Sequence, residues 1–136
     1  MGQQQLLLLV IGVIMVALAV LAGLVVLEHH FKKDEADGLL DRGLSIAAYA
    51  VQWKVTNDPF VGGNQSYESL ADSGVEGLAL SETTIRGHFA ITGATKNTLE
   101  VSGVSDRYPE VGIRVFVNQY DVDSSYVRFD GSITIP

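Results

Sequence analysis

The sequence predicts an α+β protein: a long N-terminal α-helix packed at its C-terminal half against a small antiparallel β-sheet head. Three observations carry that expectation. An uncharged apolar run extends from Leu6 to Leu27, a stripe in helical phase continues it to Trp53, and short alternating runs separated by turn residues follow from His88 onward. The chain therefore divides into residues 1–27, an apolar helix; residues 28–54, its amphipathic continuation; and residues 55–136, a β-rich head.

The apolar run comes first. It holds no charge, no proline and no strongly polar side chain over 22 residues. At about 1.5 Å of rise per residue such a helix spans about 33 Å, the thickness of a bilayer's hydrocarbon core. A cleavable secretory signal has a basic n-region and an apolar core of roughly 7 to 15 residues. Here the preceding MGQQQ carries no Lys or Arg and the run is longer, so the segment reads as a retained helix.

Beyond Leu27 the chain turns polar (EHHFKKDEADG), yet the helical period persists. Leu40, Leu44, Ala47 and Val51 recur at spacings of 4, 3 and 4, with Ile46, Ala50 and Trp53 beside them. Leu40, Leu44, Ala47, Val51 and Trp53 are the residues expected to seat the head. Gly38 and Gly43 each cost about 1 kcal/mol relative to Ala inside a helix, and mark where it bends or loosens. The helix is expected from about Gln3 to about Lys54, until Thr56, Asn57, Asp58, Pro59 and Gly62-Gly63 stop it.

The head reads as strands. A helical turn is expected near residues 67–71, then β runs at 88–92, 98–104, 112–120, 126–129 and 132–135. Leu99 and Val101 alternate with Glu100 and Ser102, and Ile113, Val115 and Val117 with Arg114, Phe116 and Asn118. Residues 93–97 form a hairpin loop, and Asp130-Gly131 between YVRF and SITI is the strongest tight-turn signal. The resulting sheet must cover one apolar face, and the stripe from Leu40 to Trp53 is what remains to cover it.

Composition and motifs point away from catalysis. The net charge is −7, hydrophobic residues make up 47% and the mean hydropathy is +0.24, with every charged residue at or beyond Glu28. An acidic head without a basic patch argues against nucleic acid. Cysteine is absent, which removes disulfides, thiol nucleophiles and cysteine metal sites. Adjacent His29 and His30 point about 100° apart on a helix, so they read as a solvated collar rather than a shared metal site. His88 reads as a strand-start residue. Asp121, Asp123 and Ser125 resemble the opening of a calcium loop, but Tyr126 and Ser132 stand where its glycine and glutamate belong, which leaves a polar turn. Asn64-Gln65-Ser66 matches a glycosylation sequon. No phosphate loop, serine elbow or HExxH helix is present, and the expectation is no enzyme, no cofactor and no metal.

With Gly2, the Leu6 to Leu27 run and the helix-then-sheet order in view, the chain resembles the type IV pilins and pilin-like filament subunits. That resemblance implies a leader cut after Gly2, which leaves Gln3 first and Leu7 fifth, where many mature pilins carry Glu. The leader also lacks the usual basic residue before Gly2, and the head lacks the cysteine pair common in bacterial pilins. The implied function is a structural subunit that polymerises into an extracellular helical filament.

Physical reasoning supports that picture. A helix apolar on every side requires lipid or other apolar helices around it. Leu6, Leu9, Ile11, Gly12, Ile14, Leu18, Leu21, Gly23 and Leu27 are the expected assembly residues, the glycines permitting close approach. Gln3, Gln4 and Gln5 offer neutral hydrogen bonds to adjacent stems. The expected partners are identical subunits, with the membrane as the store before assembly. The expected location is the cell surface, fed from an inner-membrane pool. The rival reading is a single-pass membrane-anchored protein with a small β-rich domain. Lys32 and Lys33 follow the run and no Lys or Arg precedes it, so the positive-inside rule places the head in the cytoplasm, against the filament reading.

Overall fold

The computed structural model describes residues 2–60 and 62–135. The first element, α1, is a continuous helix over Gly2–Val55, 54 residues long. It passes through Gly38 and Gly43 without interruption, so the helix is not broken at either glycine. Its end is built by the turn residues that follow: the amides of Gly63, Asn64 and Gln65 donate to the carbonyls of Trp53, Thr56 and Lys54 at 2.9, 3.3 and 2.8 Å. Those bonds satisfy carbonyls that a helix end leaves without partners.

The chain divides into two compact units, Met1–Lys33 and Asp34–Pro136. The boundary falls inside the amphipathic segment, so the helix from Asp34 onward belongs with the sheet. In the first unit every residue from 2 to 31 is exposed.

The second unit adds a short helix α2 (Leu70–Ser73), a 3₁₀ turn (Gly74–Leu78) and four strands: β1 (Gly87–Ala94), β2 (Thr98–Ser105), β3 (Gly112–Asn118) and β4 (Asp121–Arg128). All neighbours are antiparallel in the order β1-β2-β3-β4. The helical turn thus falls three residues later than expected and runs on into the 3₁₀ turn.

Opposed residues in an antiparallel pair share a face. Leu99 with Val117, Val101 with Val115 and Gly103 with Ile113 therefore form rows on one side, all buried. The core behind them is completed by Ala36, Leu39, Ile46, Ala47 and Ala50 of α1, together with Tyr67, Leu70 and Phe89. This is the expected helix-on-sheet arrangement.

The last third of the chain differs from expectation. β3 stops at Asn118 because Gln119, at φ +57°, and Tyr120 form a two-residue turn, with Asn118 opposite Asp121. β4 then takes in Asp121, Asp123 and Ser125, so the presumed polar turn is strand. Asp130-Gly131 is not a hairpin, and residues 132–135 pair with no strand. Asp130 Oδ1 instead accepts from the Ser132 amide at 3.0 Å, a local Asx turn, and the Gly131 amide donates to Glu110 at 3.0 Å. The tail closes over the sheet end, with Ile133 only 3% exposed and packed against Gly112.

Candidate functional site

Two surfaces of α1 carry the sequence-predicted site residues. The first is the apolar run. Leu9 is 67% exposed and Ile14 52%, and Leu6, Ile11, Leu18, Leu21 and Leu27 are exposed alike. A methyl group at Gly12 or Gly23 would meet nothing within 4 Å. Gly2 and Gln3 form the first turn of the helix, and retention of Met1 lies outside the described residues. The helix is long and apolar enough to cross a membrane, and its most apolar window has no burial within the chain.

The second surface is the seat on the sheet. The buried seam is Glu35, Ala36, Leu39, Gly43, Ile46, Ala47, Ala50 and Lys54. It is rotated by about one residue from the stripe centred on Leu40, Leu44, Ala47 and Val51. Ala47 is fully buried, whereas Leu40, Val51 and Trp53 are half-buried and flank the core. Leu44 is 37% exposed and lies off the seat. The phase is set by Gly43: a Cβ there would stand 2.7 Å from Ile113 Cδ1 and 3.3 Å from Val115 Cγ2. A side chain at position 43 would have to displace the Ile113 tip, and Gly38 likewise lies against the Arg86 side chain, 2.7 Å from where its Cβ would be.

Two polar clusters pin the seam at its ends. At the start, the Glu35 carboxylate is almost wholly buried; it meets Arg86 Nη1 at 3.4 Å and accepts from Ser105 Oγ at 3.0 Å. At the end, Lys54 is 2% exposed without a carboxylate partner among the described residues. Its ammonium lies 4.6 Å from the centre of the Tyr67 ring and 4.7 Å from that of Tyr120, and 3.5 Å from the Gln119 carbonyl. The ring faces take the place of a counter-ion. Tyr67 donates to the same carbonyl at 2.5 Å, and burial, with Tyr120 nearby, pushes its phenol up to about 12. This knot ties the end of α1 to the β3–β4 turn. Glu35 and Lys54 both escaped the sequence reading because charged residues were assigned to the solvent face; their spacing in phase with Leu39, Gly43, Ile46 and Ala50 was the available signal.

Comparisons with family models, with curated proteins and with solved structures returned no match. The case for function therefore rests on the chain's own geometry.

The remaining polar groups pair mainly with one another across the sheet. On the outer sheet face, Arg114 Nε meets Glu100 at 2.9 Å and Arg114 Nη1 donates to Tyr126 at 3.3 Å, while Thr92 hydroxyl contacts Glu100 and Ser102, each at 3.0 Å. These are cross-strand pairs that brace the sheet. His88 Nδ1 pairs with Asp106 Oδ1 at 2.5 Å beside a shallow groove of about 430 Å³. His29 and His30 are exposed, as are Asp121, Asp123 and Ser125 on β4. Among the described residues no three His, Asp or Glu side chains converge as metal ligands. Asn64 is exposed at φ +49°, a conformation Asn tolerates well.

Proposed function

We propose that this chain is a non-catalytic structural subunit that polymerises into a helical filament through its apolar N-terminal helix. The observation that carries this reading is an apolar run of 22 residues, exposed throughout, on a helix that continues unbroken into the core of the sheet unit. A tether requires no such continuity. In water the run would cost on the order of tens of kcal/mol, at about 1.5 to 3 kcal/mol for each large side chain. It is therefore held either by lipid or by copies of itself. Identical subunits added head to tail make a heterologous contact that need not close, which yields a helical polymer. Its partners are copies of this chain, its store before assembly is the membrane, and its working location is the cell surface.

One observation favours a second reading, a single-pass anchored domain: Lys32 and Lys33 lie five and six residues beyond the end of the run and no Lys or Arg precedes it. Electron microscopy of material sheared from producing cells, matched to this chain by mass spectrometry, separates the two. Filaments containing it are expected, and their loss is expected in Leu9→Lys or Ile14→Lys. Normal filament yield from those variants refutes a buried stem; a chain found only as a membrane-bound monomer supports the anchor.

A further inference from the structure

The helix carries a second unpartnered surface inside the sheet unit. Opposite the seam, Leu44 and Val55 are exposed large apolar side chains, with exposed Ala48 and Gln52 between them, and exposed Tyr49 flanks the seam. The helical face of a domain that ends at the sheet is expected to be polar there. Along the same face, Asp34, Asp37 and Asp41 stand exposed at spacings of 3 and 4, on one side of the helix. Among the described residues none of the three carboxylates has an ion-pair partner. Immediately before them Lys33 is exposed and likewise has no ion-pair partner among the described residues, next to the exposed imidazoles of His29 and His30.

We infer that this outward face, from Asp34 to Val55, is a docking surface for a second copy of the chain, displaced along the helix so that its basic collar at Lys33 faces Asp37 and Asp41. The inference rests on the filament reading and names the contact that sets its register. Charge complementarity selects the occupant. Two parallel copies in register would oppose like charges, acid row to acid row and collar to collar. A displacement of six to eight positions sets Lys33 of one copy beside Asp37 and Asp41 of the other and draws the two acid rows apart, whereas at four Asp37 would still oppose Asp41. At about 1.5 Å per residue, that is an offset of about 9 to 12 Å between contacting neighbours. Leu44, Ala48 and Tyr49 then continue the apolar contact beyond the acid row, covering side chains that the sheet leaves exposed.

The absence of cysteine gives the test a clean background. In the full chain carrying Lys33→Cys and Asp41→Cys, the two thiols lie about 12 Å apart on one helix, too far for an internal disulfide, which needs Cα atoms within about 7 Å. Mild oxidation of filaments is expected to give a ladder of covalent multimers from the double variant and monomers from either single variant. Asp37→Lys with Asp41→Lys is expected to lower filament yield at least tenfold, and adding Lys33→Glu to restore it. If filaments of the cysteine double variant form yet stay uncrosslinked on oxidation, or if the charge-reversed chain assembles at wild-type yield, the docking surface is overturned and the filament reading stands. If wild-type cells make no filaments, the filament reading falls and this contact with it. Helical reconstruction giving an offset outside about 9 to 12 Å also overturns it.

Discussion

Replacing Ile46 and Leu44 separately by alanine tests which face of α1 the sheet holds. The two residues are two positions apart and alike in volume, yet Ile46 is fully buried and Leu44 is 37% exposed. Truncating a fully buried isoleucine removes its transfer energy and leaves a cavity, a cost of about 2 to 5 kcal/mol. Ile46 lies in the middle of the seam between Gly43 and Ala50, among fully buried neighbours, so about 3 kcal/mol is expected. For Leu44→Ala the lost contacts are partial and alanine is the better helix former, so about 1 kcal/mol or less is expected. At about 4 °C per kcal/mol for a unit of this size, Ile46→Ala lowers the midpoint by about 12 °C and Leu44→Ala by no more than about 4 °C. Trp53 is the single tryptophan and half-buried at the edge of the core, so its fluorescence during heating of the full chain in detergent reports the transition. Equal losses, or a larger one for Leu44→Ala, would refute the rotation of the seam.

Two further outcomes follow from the polar clusters. The Tyr67 phenol titrates at about 12 against 10.0 for a free tyrosine, so below pH 10 both states keep the proton and its full contribution is present. As pH rises from about 10 through about 12 the unfolded chain loses that proton first and stability declines; Tyr67→Phe is expected to flatten the decline in melting curves taken across that window, and an unchanged slope counts against the knot. Arg86→Ala leaves the Glu35 carboxylate with Ser105 alone and is expected to cost about 1 to 3 kcal/mol by denaturant titration, whereas Glu35→Gln, which keeps the hydrogen bond, costs less; the reverse order argues against the pairing.

The helix and the first two strands were legible because their signals are local. Periodicity marked α1 to within a residue of Val55, and alternation placed β2 and β3 correctly on their inner faces. The β3–β4 turn was not, because nothing in Gln119-Tyr120 favours a reversal by itself. Gln119 adopts a positive φ where Gly or Asn is usual, and what holds it is tertiary: its carbonyl accepts from Tyr67 and meets Lys54, and Tyr120 donates to Gln65 at 2.6 Å. Asp130-Gly131 has the better local signal, yet Asp130 caps a local Asx turn and Ile133 packs against Gly112, so the tail is held at the sheet end rather than paired along the free edge of β4. The seam was misplaced by one residue for a related reason. Hydropathy gave Gly43 no weight and counted Glu35 and Lys54 as solvent-facing, yet Gly43 is buried against Ile113 and Val115 and the two charges are the ones with partners waiting.

Under the filament reading the apolar run supplies insolubility in water but little preference between its two hosts. Lipid tails and a bundle of leucine-rich stems are similarly apolar, so transfer from one to the other gains mainly packing and little hydrophobic energy. Whatever tips the balance must therefore be contacts that exist only between copies. Gly12 and Gly23 offer close approach within the run, but an approach of bare helices is available inside the bilayer as well. The acid row and the exposed Leu44, Tyr49 and Val55 differ in kind. They lie past the basic collar, beyond the apolar run, and no described residue covers them. Burial of those side chains and pairing of Lys33 with Asp37 and Asp41 are gained on assembly alone. It follows that salt should weaken assembly without releasing the chain from detergent or lipid, because screening acts on the exposed charges and leaves the apolar run untouched.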